Sequence, residues 1–437
     1  MSIEVQGWGR FPRSQSEVIP LSWLDQDIPF DRVPTSFLAH GMGRSYGDSC
    51  LNDGNTLLST AGLDRLIRFD ALQGILTAES GVTFDAILRF AIPRGWFVPV
   101  TPGTRFITLG GAIANDVHGK NHHCAGTFGQ HVLRFQLRRS DGTRMVCSRS
   151  ENADWFRATI GGLGLTGLIE WAEFKLRRIR TSWVDTETIR YGGLDEFRTL
   201  SAESEASHEY VVAWVDSLAR SGIGRGLFMR GNHNADSDRY GLELPQDSRL
   251  AVPAELPFKA VNRLTLKLFN TAFYRARLSR RSERTVRFEK YFYPLDSIGS
   301  WNKLYGRGGL IQWQALVPLE AGDVVRDLLA AAGASGSGSF LTVMKIMGEA
   351  PPAGLLSFSG RGITLALDFP YDASLLKTLD RLDDMVAEAG GRLYPAKDAR
   401  MSGANFRRYY PNWTELLPYV DPRFSSSFWR RVSQIEQ

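Results

Sequence analysis

Hydrophobic residues in the first part of the chain are spaced as in short strands and one helix. Residues 37–39 and Ile75–Glu79 are apolar runs of strand length, and alternation over residues 133–137 predicts a hairpin that turns at residues 141–142. A helix is predicted after Thr83, which is suited to cap it, because apolar residues recur there at helical spacing. These residues are Phe84, Ile87, Leu88 and Ala91.

From about residue 179, runs typical of strands alternate with two helical patterns. The strands are predicted at Tyr210–Val215, 226–230, 312–317, 340–347 and 364–369. The first helix ends at Gly333, before a Gly/Ser loop at 335–339, and the second is capped by Asp372 and closed by Gly390. Strands interrupted by helices favour an antiparallel sheet with helices on one face, and we therefore expect an α+β fold.

Length and composition indicate a globular protein of two domains. The chain has 437 residues, of which 43% are hydrophobic and 23% charged. No run approaches the roughly 18 apolar residues of a membrane span, and the N-terminal residues lack the apolar core of a signal peptide. Three cysteines without framework spacing favour reduced thiols over disulfides. These features predict a cytoplasmic protein.

Glycine-rich stretches indicate where the backbone approaches a ligand. The stretch 41–48 reads Gly-Met-Gly-Arg-Ser-Tyr-Gly-Asp, and residues 102–114 contain Pro102-Gly103 and the pair Gly110-Gly111. Because glycine tolerates close approach, and consecutive backbone N–H groups hold phosphate oxygens, both stretches are candidate ligand loops. Arg44 would add a positive charge.

A third glycine stretch, at 161–167, contains the letters of the dinucleotide fingerprint in the wrong context. The fingerprint requires a strand before the glycines and a helix after them. Here a helix is predicted at 153–160, and alternation over 172–177 predicts a strand afterwards. We therefore reject a Rossmann site and keep the loop as a further contact surface.

Three histidines close the central glycine stretch. His118 follows an apolar run and precedes a glycine, which suits the floor of a pocket, whereas a structural role is favoured for His122 and His123. Zinc is a poor interpretation, because these residues lack a helical context or a Cys pair with finger spacing. We expect no metal.

Taken together, these motifs resemble the FAD domain of the vanillyl-alcohol oxidase superfamily. More narrowly, the chain resembles the decaprenylphosphoryl-β-D-ribose 2′-oxidases, over nearly its whole length. The narrower resemblance rests on Asp-x-His-Gly-Lys-Asn-His-His at 116–123, Tyr-Pro-Leu-Asp at 293–296 and Leu-Tyr-x-Ala-Lys-Asp at 393–398. It implies a two-domain fold with an FAD-binding domain at 1–180, a substrate-binding domain at 181–391 and a C-terminal return at 392–437.

The resemblance also implies roles for individual residues. The implied cofactor-binding residues are Gly41, Gly43, Arg44, Ser45, Tyr46, Gly47, Pro102, Gly103, Thr104, Gly110, Gly111, Ala114, His118, Gly119, Asn121, Gly162, Gly167, Ile169, Tyr394 and Lys397. The implied substrate-binding residues are Tyr46, Lys120, Gln312, Gln314 and Lys345. His118 and Lys397 are candidate proton acceptors, since oxidation of a carbinol needs one. Lys397 could instead balance charge on the flavin.

The implied activity is FAD-dependent oxidation of the 2′-hydroxyl of a polyprenyl-phospho-β-D-ribofuranose, which an NAD(P)H-dependent ketoreductase would follow. The alternatives are an oxidoreductase of a soluble sugar, alditol or aldonolactone, and a flavin-retaining protein that binds lipid-linked sugars without turnover. No nucleic-acid partner is expected. Non-covalent FAD is expected, because tethering members use histidine where Arg44 stands, and a guanidinium stays protonated.

The sequence departs from the family pattern at two places. Residues 19–34 are shorter than the helical segment usual in the family, and Ala366 stands where well-known members have cysteine, so inhibitors aimed at that thiol should fail.

A lipid substrate implies peripheral contact with the inner face of the cell membrane. The basic and apolar segment 258–287 is the candidate contact, and a solvated basic helix or a disordered loop over the substrate cleft is the competing interpretation.

Overall fold

The computed structural model describes residues 2–219, 221–248, 250–254, 262–276, 279–334, 339 and 341–434. The strands of the N-terminal part are β1 (Ser2–Gln6), β2 (Arg13–Pro20), β3 (Phe37–His40), β4 (Thr56–Ser59), β5 (Leu66–Asp70), β6 (Ile75–Glu79), β7 (Trp96–Phe97), β8 (Val132–Arg138), β9 (Arg144–Ser148), β10 (Leu168–Lys175) and β11 (Arg177–Arg178). The helices are α1 (Phe84–Ala91), α2 (Leu109–Ala114), α3 (His122–Ala125) and α4 (Ala153–Thr159).

The N-terminal strands form a four-stranded sheet in the order β1-β2-β4-β3 and a five-stranded sheet in the order β5-β6-β10-β8-β9. The predicted hairpin is β8–β9, with Arg138 opposite Arg144. Thr83 caps α1 by accepting a hydrogen bond from the backbone of Ala86, as predicted. The glycine loop at 161–167 joins α4 to β10, the reverse of the dinucleotide order, which confirms the rejection of a Rossmann site.

The remaining elements build one large sheet and its helices. The strands are β12 (Trp183–Tyr191), β13 (Tyr210–Val215), β14 (Gly226–His233), β15 (Leu250–Ala251), β16 (Arg281–Arg287), β17 (Ile298–Gly299), β18 (Leu310–Pro318), β19 (Val343–Met347), β20 (Gly362–Pro370) and β21 (Arg392–Leu393). The helices are α5 (Leu194–Glu205), α6 (Arg263–Arg275), α7 (Phe288–Phe292), α8 (Val324–Ala334), α9 (Ala373–Glu388), α10 (Gly403–Tyr409) and α11 (Ser427–Ser433). Short 3₁₀ segments lie at Ile92–Arg94, Phe128–His131, Pro294–Ser297, Trp301–Tyr305, Leu319–Ala321, Pro395–Lys397 and Trp413–Tyr419.

Eight antiparallel strands pair in the order β16-β12-β14-β13-β19-β20-β18-β21. Alternate residues of a strand point to opposite faces, so one set on β13 and β18 packs against α5, α8 and α9 in a continuous hydrophobic core. On β18 this set is Ile311, Trp313, Ala315 and Val317. The α+β fold and the antiparallel sheet with these helices on one face confirm the predicted class.

The C-terminal segment contacts both parts of the molecule. β21 pairs with β18 of the large sheet. Further along, the backbone of Phe37 donates to the carbonyl of Arg423, and the guanidinium of Arg431 lies 2.6 Å from a carboxylate oxygen of Asp48. The segment therefore returns to the N-terminal part, although its first residues belong to the large sheet by pairing.

Two predicted segments extend outside the described residues. The strand predicted at 340–347 is observed at Val343–Met347, while residue 340 and residues 335–338 of the Gly/Ser loop lie outside. The basic segment 258–287 is two elements, the helix α6 and the strand β16, and its residues 258–261 and 277–278 lie outside. In the described ranges, none of the helices has the length and apolar character that crossing a bilayer requires.

Candidate active site

A cavity of about 980 Å³ lies between the glycine-rich loops and the face of the large sheet that α5, α8 and α9 leave uncovered. This volume is typical of sites for small molecules and cofactors. Its lining includes loops around residues 41–50, 101–120 and 163–169, strands of the large sheet, and the Pro395–Lys397 turn. All three glycine stretches of the sequence therefore meet at one cavity.

Small residues let these loops approach one another. A Cβ atom on Gly47 would lie 1.5 Å from the carbonyl oxygen of Asp398, and one on Gly110 would lie 2.9 Å from Cβ of Ser80. Real side chains do not tolerate such distances, so these glycines are required by packing. The hydroxyl of Thr108 caps α2 by accepting a hydrogen bond from the backbone of Gly111.

Three buried polar atoms beside the cavity lack hydrogen-bond partners among the described residues: Nε of Arg44 and the hydroxyls of Ser49 and Ser80. Buried polar groups are normally paired, so their arrangement indicates a ligand rich in acceptors. The Arg44 guanidinium also stacks on Trp8, 4.0 Å from its ring centroid. This lining fits a polyanionic cofactor such as FAD, with Arg44 placed to meet negative charge.

Two lysines on the cavity wall have no carboxylate partner in the described part of the chain. Nζ of Lys345 lies 2.8 Å from Nδ1 of His118 and donates to the carbonyl of Gly119, whereas Nζ of Lys120 donates to the carbonyl of Tyr291. Burial lowers the pKa of each lysine to about 7. Cations without a counter-charge favour an anionic ligand in this part of the cavity.

Both ring nitrogens of His118 are engaged. Nδ1 contacts Lys345, and Nε2 lies 3.0 Å from the side-chain amide of Gln314. Burial and the neighbouring lysines lower the pKa of His118 well below its usual value, so the ring is neutral and carries one N–H. It can therefore accept a hydrogen bond at one nitrogen and donate at the other.

Lys397 differs from His118 in having no hydrogen bond from its side chain to any described residue. Its Nζ lies 4.0 Å from the ring centroid of Tyr46 and borders the cavity. Burial lowers the pKa of Lys397, and the buried carboxyl of Asp368 opposes this change. An amine with a lowered pKa and no hydrogen bond to a neighbouring side chain or backbone group can accept a proton near neutral pH.

The cavity face of the large sheet carries polar residues at alternate positions. Gln312 and Gln314 of β18 and Lys345 of β19 line the cavity, while Trp313 points to the other face and donates to Asp383 of α9. Ala366 lies opposite Gln314 in register and also borders the cavity, so no thiol is present at that position.

Most sequence-predicted site residues border this one cavity. They are Gly41, Gly43, Arg44, Ser45, Tyr46, Pro102, Gly103, Thr104, Gly110, Gly111, Ala114, His118, Gly119, Lys120, Gly167, Ile169, Gln312, Gln314, Lys345, Tyr394 and Lys397. The hydroxyl of Tyr394 donates to the carbonyl of Asn115, which ties the C-terminal segment to the central loop.

Three predicted cofactor-binding residues are not part of the lining. Gly47 packs against the backbone of Asp398, Asn121 is buried and donates to the carbonyl of Pro99, and Gly162 packs against the carbonyl of Ala158. Each contacts the protein itself, so its position supports a packing role. His122 and His123 also hydrogen-bond the backbone, as the structural interpretation predicted.

Sequence reasoning missed several residues around the cavity. Trp8 comes from the Gly-Trp-Gly start, which carries no chemical signal by itself. Asp368 lies just behind the wall, and only its alternation with Ala366 on a buried strand could have indicated it. The helix α6 closes one side through Leu266, Phe269 and Phe273, with Trp214 4.9 Å from Phe273. This aromatic and aliphatic arm extends the cavity beyond its polar part.

Comparison with known proteins identifies the cofactor domain. Residues 30–148 match the FAD binding domain family. The chain is 34% identical to decaprenylphosphoryl-beta-D-ribose oxidase of Mycolicibacterium smegmatis, over 98% of this chain and 97% of that protein. It is also 28% identical to mouse L-gulonolactone oxidase, over only 30% of this chain and 29% of that protein.

The similarity to the mycobacterial oxidase extends across both the glycine-rich loops and the large sheet, whereas the similarity to the lactone oxidase covers less than a third of each chain. An FAD-binding domain, a cavity bordered by its loops and an antiparallel sheet with helices on one face are all present. The chain belongs to the vanillyl-alcohol-oxidase-type family of FAD-linked oxidoreductases acting on CH–OH groups that includes decaprenylphosphoryl-beta-D-ribose oxidase.

Proposed function

We propose that this protein oxidises the 2′-hydroxyl of a polyprenyl-phospho-β-D-ribofuranose to the 2′-keto sugar. One observation carries the proposal: the cavity joins a wall with two lysines, which have no carboxylate partner among the described residues, to an apolar arm under α6. A sugar that bears a phosphate and a hydrocarbon tail has the same order of polar, anionic and apolar groups. The similarity over whole chains to decaprenylphosphoryl-beta-D-ribose oxidase supports the same substrate class.

Lys120 and Lys345 are the proposed contacts of the phosphodiester. An anion between them would favour the ammonium form of both, against the burial that lowers their pKa to about 7. Trp214, Leu266 and Phe273 would contact the first units of the lipid tail. A free pentose offers neither group, so we expect it to bind weakly.

Bound FAD would supply the hydride acceptor, held by the loops around Gly43, Gly103 and Gly110. Lys397 is the proposed acceptor of the hydroxyl proton, because it borders the cavity, burial lowers the pKa of its amine, and that amine has no hydrogen bond to a described residue. Gln314 and His118 would orient the sugar hydroxyls through their mutual contact. In this arrangement the protein would take the hydroxyl proton, and the chemistry that the cofactor supplies would account for the hydride.

FAD attachment is proposed to be non-covalent, because Arg44 offers no nucleophile while its guanidinium remains protonated. Acid precipitation of the yellow protein should leave the flavin in the supernatant. Flavin fluorescence that stays with the denatured chain would contradict non-covalent attachment.

A lipid-linked substrate would reach the protein at a membrane surface, and the keto product would pass to an NAD(P)H-dependent ketoreductase that completes the epimerisation. The exposed face of α6 is the proposed membrane contact, since it lies over the apolar arm of the cavity. Leu264 and Leu268, four residues apart on this helix, are 66% and 63% exposed.

Anaerobic reduction of the bound flavin tests the proposed substrate. The panel comprises polyprenyl-phospho-ribose, free ribose, alditols and aldonolactones, each followed by the loss of flavin absorbance. Rapid reduction by the lipid-linked sugar is expected, with free ribose much slower. Faster reduction by a soluble sugar or lactone would assign the protein to that chemistry, and no reduction by any compound would favour a binding protein without turnover.

A further inference from the structure

The buried carboxyl group of Asp368 lies directly behind the cavity wall that β18 and β20 form. Thr364, Ala366 and Asp368 share one face of β20 by alternation, and the first two border the cavity. Asp368 is fully buried and lies opposite Gln312 in register. Charged side chains are almost never fully buried without a partner, so this position requires an explanation.

The contacts of Asp368 are few. One carboxylate oxygen accepts a hydrogen bond of 2.5 Å from the side-chain amide of Gln312, and the other has no hydrogen-bond partner among the described residues. The backbone N–H of Asp368 donates a hydrogen bond to the hydroxyl of Ser339. Lys397, whose Nζ lies 4.0 Å from the ring centroid of Tyr46, borders the same cavity as Tyr46 and Gln312, and its charge acts on this carboxyl group.

We propose that Asp368 is a positioning residue for the reaction, which holds Gln312 by a hydrogen bond and sets the protonation of Lys397 through its charge. The inference rests on the proposed role of Lys397 as proton acceptor. Asp368 itself would not touch the sugar, because Gln312 and Tyr46 line the cavity and Asp368 does not.

The electrostatics of the neighbourhood support this link. Burial raises the pKa of Asp368 and lowers that of Lys397, and each group's charge opposes the shift of the other. Two further titratable groups respond to Asp368, the phenols of Tyr46 and Tyr305, whose pKa values are raised further. Lys397 in turn lowers the pKa of His118. Loss of the carboxylate should therefore lower the pKa of Lys397.

The test measures Lys397 directly in the FAD-loaded protein. Cyanate adds to a neutral amine to give a carbamyl group, so the rate of labelling against pH reports the pKa of a lysine, and mass spectrometry of peptides identifies Lys397. Asp368→Asn should move the midpoint to lower pH by about one unit, the lower end of the effect of a nearby opposite charge. Asp368→Glu should restore it towards the wild-type value.

Asp383→Asn is the matched control. Asp383 is equally buried, but it lies 2.8 Å from Arg400 and accepts from Trp313 on the opposite face of the sheet. The midpoint for Lys397 should not change in this variant. An unchanged midpoint in Asp368→Asn, an equal change in Asp383→Asn, or failure of cyanate to label Lys397 in the wild type would overturn the proposal.

The pH profile of flavin reduction separates this inference from the proposed substrate. One limb of the plot of reduction rate against pH should follow the ionisation of Lys397, whether the reaction needs this lysine neutral or charged. That limb should move to lower pH in Asp368→Asn and should be absent in Lys397→Met. If no sugar reduces the flavin but the labelling midpoint moves, the substrate assignment fails while the link between Asp368 and Lys397 stands. A moved limb without a moved midpoint would exclude the link.

Discussion

His118 and Lys397 are equal candidates for the proton acceptor in the sequence, but the structure gives them different contacts. Both ring nitrogens of His118 are occupied by Lys345 and Gln314, whereas the Lys397 amine has no protein hydrogen bond in the described part of the chain. An engaged histidine is suited to orient a substrate. An amine of lowered pKa is suited to receive a proton.

Replacing either residue should slow the chemistry without removing the cofactor. We expect His118→Ala and Lys397→Ala each to retain FAD and to reduce the anaerobic rate of flavin reduction about 10²-fold or more, the first because the substrate loses its orientation and the second because the proton acceptor is lost. Only Lys397→Ala should also abolish the corresponding limb of the pH profile. Rates close to wild type in both variants would exclude the assignment.

Gly47 illustrates a requirement for a small residue that is set by packing. Because an added Cβ would meet the carbonyl of Asp398 at 1.5 Å, Gly47→Ala should separate the first glycine loop from the turn that carries Lys397. We expect a loss of about 1–3 kcal/mol in the free energy of unfolding, and a lower ratio of FAD to protein. Denaturant titration and flavin absorbance measure the two effects.

Gly103→Ala is the control, because Gly103 borders the same cavity and an added Cβ would meet no atom within 4 Å. Its stability should remain close to that of the wild type. Equal stability of the two variants would contradict the packing role of Gly47.

At the scale of elements, the basic segment proposed for membrane contact divides into two parts of different character. The strand β16 pairs with β12, and its arginines meet acidic residues: Arg281 lies 3.4 Å from Glu187, and Arg287 pairs with Glu243 and Glu289. Helix α6 instead buries Asn270 and exposes leucines. The apolar residues of α6 are therefore better placed for membrane contact than the arginines of β16.

Leu264→Ser with Leu268→Ser should weaken sedimentation with anionic liposomes by roughly 10-fold or more, since burying each leucine in an apolar phase contributes about 1.5 kcal/mol or more. The control pair is Leu72→Ser with Leu417→Ser, two exposed leucines that lie in the turn between β5 and β6 and in the 3₁₀ segment Trp413–Tyr419. High salt should also reduce binding, because basic residues such as Lys267 flank the leucines. Equal sedimentation of both double variants would exclude α6 as the contact.

Two buried lysines without a carboxylate partner among the described residues link the stability of the whole molecule to pH. Burial lowers the pKa of Lys120 and Lys345 to about 7 in the folded protein, from the 10.5 that is usual for a lysine. Between these limits the unfolded chain binds more protons than the folded one, so the free energy of unfolding rises with pH. This stabilisation is complete above the unfolded pKa and is lost as the pH falls through about 7.

Urea titrations from pH 7 to pH 10 should therefore show increasing stability for the FAD-loaded wild type and a weaker dependence for Lys345→Met. Lys377→Met, at an exposed position, is the control and should retain the wild-type slope. If Lys345→Met keeps the full slope, Lys345 does not contribute to it, and its role as a phosphate contact loses its electrostatic basis.

Local physics made much of the architecture predictable. Thr83 and Asp372 cap the helices predicted after them, and the alternation over 133–137 became the hairpin of β8 and β9. The glycine stretches converge because backbone turns and close approaches require that residue. Through these motifs, the sequence alone indicated the family, the α+β class and many of the loop residues that line the cavity.

Tertiary structure decided the relations between residues that are far apart in the chain. Alternation shows which residues of β20 share a face, but the position of the cavity depends on the pairing of β20 with β18 and on the loops that cover it. Lys345 reaches His118, 227 residues away, and Asp368 stands behind Gln312. Burial and charge act through space, so the lowered pKa values of the lysines and the engaged nitrogens of His118 arise only when these segments fold together.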